Sequence, residues 1–157
     1  MKKSIIITGA GRGIGAATAR TFLEAGYRVG LIGRNADTLA ATADGHPDAL
    51  VLACDVGNPD DVESAFGTAL DAWGRLDVLF NNAGRGNPPK TADETDIDVW
   101  LDVVRINLTG SFLCARAAFG TSSALEGIVR HVRDALPSCF STRRFSSPAS
   151  PRSLRAA

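Results

Sequence analysis

Along the first eighty residues the spacing of apolar positions switches repeatedly between two patterns, and each switch marks a new element. Ser4–Thr8 (SIIIT) is β-branched and almost continuously apolar, as a parallel strand covered on both faces should be. The period then becomes helical: Ile14, Ala17, Thr18, Thr21, Phe22 and Ala25 fall on one stripe, and Gly26 closes it. The alternation repeats with a second strand at 28–32 (RVGLI), a helix over Ala36–Ala43, and a third strand at 49–54 (ALVLAC). Pro59 opens the clearest helix, with Val62, Ala65, Phe66, Ala69, Leu70 and Trp73 on its face, and LDVLFN from Leu76 supplies a fourth strand. Strands alternating with helices at this spacing predict right-handed crossovers and a Rossmann-like, doubly wound parallel α/β sheet.

Past Asn81 the pattern is lost in a polar loop, NAGRGNPPKTADETD, and returns as a long helix over 97–119. Near Gly120 the composition changes. Residues 1–120 carry 11 basic and 15 acidic side chains, whereas 121–157 carry 6 and 2, so a neutral chain is built from two halves of opposite sign. The overall neutrality gives no electrostatic case for nucleic acid or an anionic membrane. No stretch reaches the ~20 apolar residues of a membrane span, and the N-terminal apolar run is shorter than the ~7–15 residues of a secretory leader core. Cys54, Cys114 and Cys139 are odd in number and widely spaced. They suggest neither a disulfide framework nor a metal site, and point to a reducing cytoplasm.

The chemistry-bearing segments sit at strand ends. TGAGRGIG, Thr8 to Gly15, joins the first strand to the first helix, where glycines deliver backbone N–H groups and a helix N-terminus to a pyrophosphate. The glycines at 9, 13 and 15 are spaced T-G-x-x-x-G-I-G rather than G-x-G-x-x-G. This form resembles the short-chain dehydrogenase/reductase family. The resemblance extends to NNAG at 81–84, to CDV at 54–56 and to INLTGSF at 106–112, four motifs in order over residues 1–119.

The resemblance implies a nicotinamide dinucleotide as cofactor and a small carbonyl or alcohol as substrate. By the same carry-over, Gly9, Gly13 and Gly15 admit the dinucleotide with Ile14 packed beneath it. Asp55 and Val56 flank adenine, Asn81, Ala83 and Gly84 line the ribose side, and Asn107 belongs to the catalytic set. The cofactor's identity follows from charge, because an acid about 20 residues past the glycine loop binds the ribose 2′-OH of NAD whereas arginine accommodates the 2′-phosphate of NADP. Here Gly33 and Arg34 stand where the acid would be, and Arg12 adds a second cation, so NADP(H) is expected over NAD.

The family's remaining catalytic groups, a serine and a tyrosine followed four residues later by a lysine, find no match. The single tyrosine is Tyr27 and no lysine follows Lys90. Residues 120–157 read instead as a tail outside the family pattern. A helix over 124–136 is expected from a capping box at Ser123 and Glu126 and a stripe through Ile128, Val129, Val132, Ala135 and Leu136, followed by a disordered Ser/Pro/Arg run. A frame-shifted or misjoined coding sequence, a short variant with a disordered tail, and a tail that binds something acidic all fit that change. The expectation is an NADP-binding module, incomplete and inactive by itself. The alternatives are a non-catalytic dinucleotide-binding or interaction module and a truncated product that does not accumulate folded. An uncovered fourth strand would further favour self-association.

Overall fold

A computed structural model describes residues 2–86, 91 and 93–121. The expected helix over 124–136 and disordered run lie outside them. Four parallel strands, β1 (Ser4–Thr8), β2 (Arg28–Gly33), β3 (Ala49–Ala53) and β4 (Val78–Phe80), form one sheet in the order β3-β2-β1-β4. Register runs Ile5 to Val29 and Val78, with Val29 in turn beside Ala49. The chain steps outward from β1 to β2 to β3, then returns to the other side of β1. That reversal opens a crevice at the carboxyl ends of β1 and β4, where α/β sheets bind ligands.

Alternation along β1 divides the core between two faces. Ile5 and Ile7 join Ala19, Phe22, Leu23, Leu31 and Leu39 against α1 (Gly13–Glu24) and α2 (Ala36–Ala43). Ile6 joins Leu52, Phe66, Ala69, Cys114 and Ala118 against α3 (Pro59–Trp73) and α5 (Ser111–Thr121). Burial on both faces accounts for the uninterrupted Ile5-Ile6-Ile7 run. Local signals fix the ends of α3. The Asn58 side chain accepts from the Asp60 N–H, Pro59 occupies the first turn, and Gly74 closes the helix at φ +74°.

Two expected elements differ. The single helix over 97–119 is α4 (Ile97–Val104), a π-helical stretch over Arg105–Gly110 and then α5. The wider turn brings Gly110 against Val56, where a Cβ would lie only 2.9 Å from the valine side chain. β4 is shorter than the LDVLFN run; at Asp77 the carboxylate accepts from the Ser4 N–H at 2.8 Å and from its hydroxyl, beside a backbone bond from the Asp77 N–H to the Ser4 carbonyl at 3.2 Å. Among the described residues no helix is long and apolar enough to cross a membrane.

Candidate functional site

The crevice is a cleft of about 370 Å³ lined from every strand end. Its floor is set by Thr8, the last residue of β1. The buried Thr8 hydroxyl accepts from the N–H groups of Asn82 and Ala83, each at 2.9 Å, and the Asn82 side-chain amide donates to the Thr8 carbonyl at 3.0 Å. These bonds tie the glycine loop after β1 to the NNAG segment after β4. Loop and segment approach so closely that a Cβ at Gly9, whose φ is +68°, would lie 3.0 Å from the Ala83 Cα.

Within the loop the glycines have different tasks. Gly9 lines the cleft; Gly13 and Gly15 do not. Gly13 holds φ +57° with open space around it. Gly15 lies beneath the loop, where a Cβ would come within 3.0 Å of the Gly9 carbonyl and 2.7 Å of the Asn82 amide nitrogen. Ile14 is 72% exposed and outside the lining, so in this structure its side chain supports neither loop nor core. The N-terminus of α1 carries no side-chain cap, whereas Asn35, Asn58 and Asp96 cap α2, α3 and α4. An uncapped helix start at the mouth of a cleft leaves backbone donors for an anion, which fits a dinucleotide's pyrophosphate.

Arg12 and Arg34 both line the cleft, beside Gly33, Asn35 and Thr38. None of the ion pairs among the described residues involves either arginine. Among the described residues Asp55 is the sole carboxylate of the lining, and it is already engaged. One oxygen accepts from the Gly57 N–H at 2.9 Å and the other from Arg105 Nη1 at 3.0 Å. Beside it Val56 is buried. Arg105 also donates from Nε and Nη2 to Asp102, which pairs in turn with Arg85. The Arg105 hydrogen bonds, reinforced by Arg85, hold the Asp102 carboxyl below the usual carboxylate range, and Asp102 and Asp55 raise Arg105.

At the other end Ala83 and Gly84 line the cleft and Asn81 does not. Its side chain points away, donating to the Ser111 carbonyl at 3.0 Å. Of this asparagine pair Asn82 is the one in the lining, because the Thr8 hydroxyl accepts from its backbone N–H and the Thr8 carbonyl accepts from its side-chain amide. Asn107, in the π-helical stretch, brackets the next segment: Oδ1 accepts from the Arg85 N–H at 2.9 Å and Nδ2 donates to the Arg85 carbonyl at 3.0 Å. It therefore fixes the backbone just past Gly84. Sequence reasoning also missed Cys54, a lining residue whose thiol burial pushes up to about 12, with Cys114 and two aspartates adding to it. Tyr27 is at the opposite end of the sheet, its ring packed edge-on to Phe22 at 4.9 Å.

The family model for short chain dehydrogenase matches residues 3–129, beyond the change in composition near Gly120. L-fucose dehydrogenase from Bos taurus is 34% identical over 116 residues, covering 74% of this chain and 43% of that protein. Two solved structures share the fold. A 3-ketoacyl-(acyl-carrier-protein) reductase from Brucella melitensis complexed with NADH has a TM-score of 0.74 at 32% identity, over 76% of this chain and 49% of that one. An actinorhodin polyketide ketoreductase variant with NADPH has a TM-score of 0.72 at 31% identity, over 76% and 47%. The chain thus spans less than half the length of the curated relatives it matches.

Proposed function

This chain belongs to the short-chain dehydrogenase family, and on that premise we propose that it is the cofactor-binding part of an NADP(H)-dependent oxidoreductase acting on a carbonyl or alcohol. The carrying observation is the pair of guanidinium groups Arg12 and Arg34, without an ion pair among the described residues, in a cleft whose one carboxylate among those residues is held by Arg105. Among the described residues a 2′-phosphate would meet both cations and no free competing anion. The solved relatives include an NADH and an NADPH complex, so likeness alone does not choose between them. Charge does.

In this reading the Gly9–Gly15 turn and the α1 N-terminus receive the pyrophosphate, with Ile14 exposed beside it. Asp55 and Val56 flank the adenine, and Asn82, Ala83 and Gly84 border the ribose. Asn107 acts indirectly, through the Arg85 backbone it brackets. The bound nicotinamide supplies or accepts the hydride, and the protein supplies binding and orientation. Fluorescence titration should show NADPH bound about tenfold or more tighter than NADH, and Arg34→Asp should reverse the order. Equal affinities in the wild-type chain would remove the charge argument.

A second reading, a dinucleotide-binding module without turnover, is favoured by the position of the only tyrosine at the far end of the sheet. Self-association belongs to either reading. β4 has a neighbour on one side only among the described residues, and an open strand edge invites pairing. Sedimentation should reveal species larger than one chain at high concentration; a clean monomer would contradict this. The two described cysteines are free and buried, as a reducing cytoplasm would keep them.

A further inference from the structure

The wall of the cleft after β3 is held from outside by Arg105, fifty residues further along the chain. One oxygen of Asp55 closes the turn onto the Gly57 N–H, and the other is fixed by Arg105 Nη1. The guanidinium lies so close over Gly57 that a Cβ there would be within 3.0 Å of Nη1. Two further donors of the same guanidinium anchor on Asp102, at 3.0 and 2.9 Å. Arg105 is therefore a clamp between α4 and the 54–57 wall, and it is also the counter-ion of the only carboxylate that the described residues place in a cleft proposed to receive phosphates.

We propose that Arg105 is a positioning residue for the adenine half of the cofactor, acting through Asp55 and making no contact of its own with the ligand. The inference rests on the reading of the cleft as a dinucleotide site. Two consequences distinguish it from a merely structural role. First, the effect should be confined to one end of the ligand, because Asn82 and Ala83 at the other end are held by Thr8. Second, the pair should add little to stability, since the Arg105 side chain is 40% exposed and solvent screens such pairs. Without Arg105, Asp55 becomes an uncompensated anion facing phosphates, and its second oxygen is free to turn.

The test uses the whole chain and two fragments, 2′,5′-ADP for the adenine end and reduced nicotinamide mononucleotide for the other, measured by calorimetry. Arg105→Met should weaken 2′,5′-ADP about tenfold and leave the mononucleotide within about twofold. Arg105→Lys, which keeps the charge but loses the fork, should fall between. Gly57→Ala keeps every charge yet displaces the guanidinium, and should weaken 2′,5′-ADP in the same direction. Adding Asp55→Asn to Arg105→Met should recover part of the loss. Unchanged 2′,5′-ADP binding in Arg105→Met, or an equal loss for both fragments, would overturn the proposal. Should Arg105→Met fail to fold, unchanged 2′,5′-ADP binding in both Arg105→Lys and Gly57→Ala would overturn it instead. A wild-type chain that binds neither fragment would overturn the dinucleotide reading itself.

Discussion

Gly15→Ala should abolish dinucleotide binding and lower the melting temperature by roughly 10 °C. The new methyl group would lie within 3.0 Å of the Gly9 carbonyl oxygen, 2.8 Å from its carbon and 2.7 Å from the Asn82 amide nitrogen. Two of those atoms are backbone, so no side-chain rotation relieves the clash. Either α1 moves off the end of β1 or the glycine loop shifts toward Ala83, itself 3.0 Å from a Cβ at Gly9. Overpacking of this kind costs about 1–3 kcal/mol. Displacing Asn82 also breaks its bond to the Thr8 carbonyl, and a buried polar group left unpaired costs about 1–3 kcal/mol more.

At roughly 2–4 °C per kcal/mol for a chain of this size, the sum gives the stated shift. Binding should suffer more than stability, because the displaced elements are the loop and helix start that would hold the pyrophosphate. Gly13→Ala is the control. Nothing lies within 4 Å of a Cβ there, and only the φ of +57° opposes it, a strain of about 1–2 kcal/mol. Calorimetric melting and NADPH titration of both variants check the contrast. A Gly15→Ala chain that melts and binds like wild type would mean that the loop does not carry the site.

Much of this architecture was legible because each element's burial leaves a different period. The Ile5-Ile6-Ile7 run could only be a strand covered twice, and α2 has the bounds its stripe predicts, Ala36–Ala43. The π-helical stretch was not legible. One extra residue in a turn scarcely alters an apolar stripe, and what stabilises it here is the fit of Gly110 to Val56, a contact far apart in sequence. The choice between Asn81 and Asn82 was likewise beyond the motif. It depends on the register of β4 against β1, where Phe80 pairs with Ile7, and on a hydroxyl at Thr8 able to collect two successive N–H groups. Arg105 carries no signal in the sequence, since nothing in the spacing joins it to Asp55, fifty residues away. Residue types at strand ends could be read from the sequence; which side chain turns into the cleft is decided by tertiary hydrogen bonds.

On the reading as a binding module, the described residues should support no oxidation of NADPH by a carbonyl substrate, even where NADPH binds. A proton must reach the carbonyl oxygen as hydride reaches the carbon, and the group that gives it has to lie within hydrogen-bond reach. The only phenol in the sequence, Tyr27, immediately precedes β2 at the end of the sheet away from the cleft and packs against Phe22. Cys54 lines the cleft but is nearly inaccessible, and with its thiol pushed up to about 12 it would be a poor donor near neutral pH. Asn107 has an amide that does not titrate and is spent on Arg85. Arg12, Arg34 and Arg85 line the cleft as guanidinium donors, which polarise an oxygen rather than deliver a proton to it. Loss of a positioned acid costs about 10²–10⁴-fold, and poor orientation of the substrate adds to that. A panel of ketones and aldehydes followed at the NADPH absorbance band should therefore show no protein-dependent decay. Turnover that survives Tyr27→Phe but disappears in Asn107→Ala would show that the described residues already contain a working proton path, and would replace the binding-module reading with an active reductase.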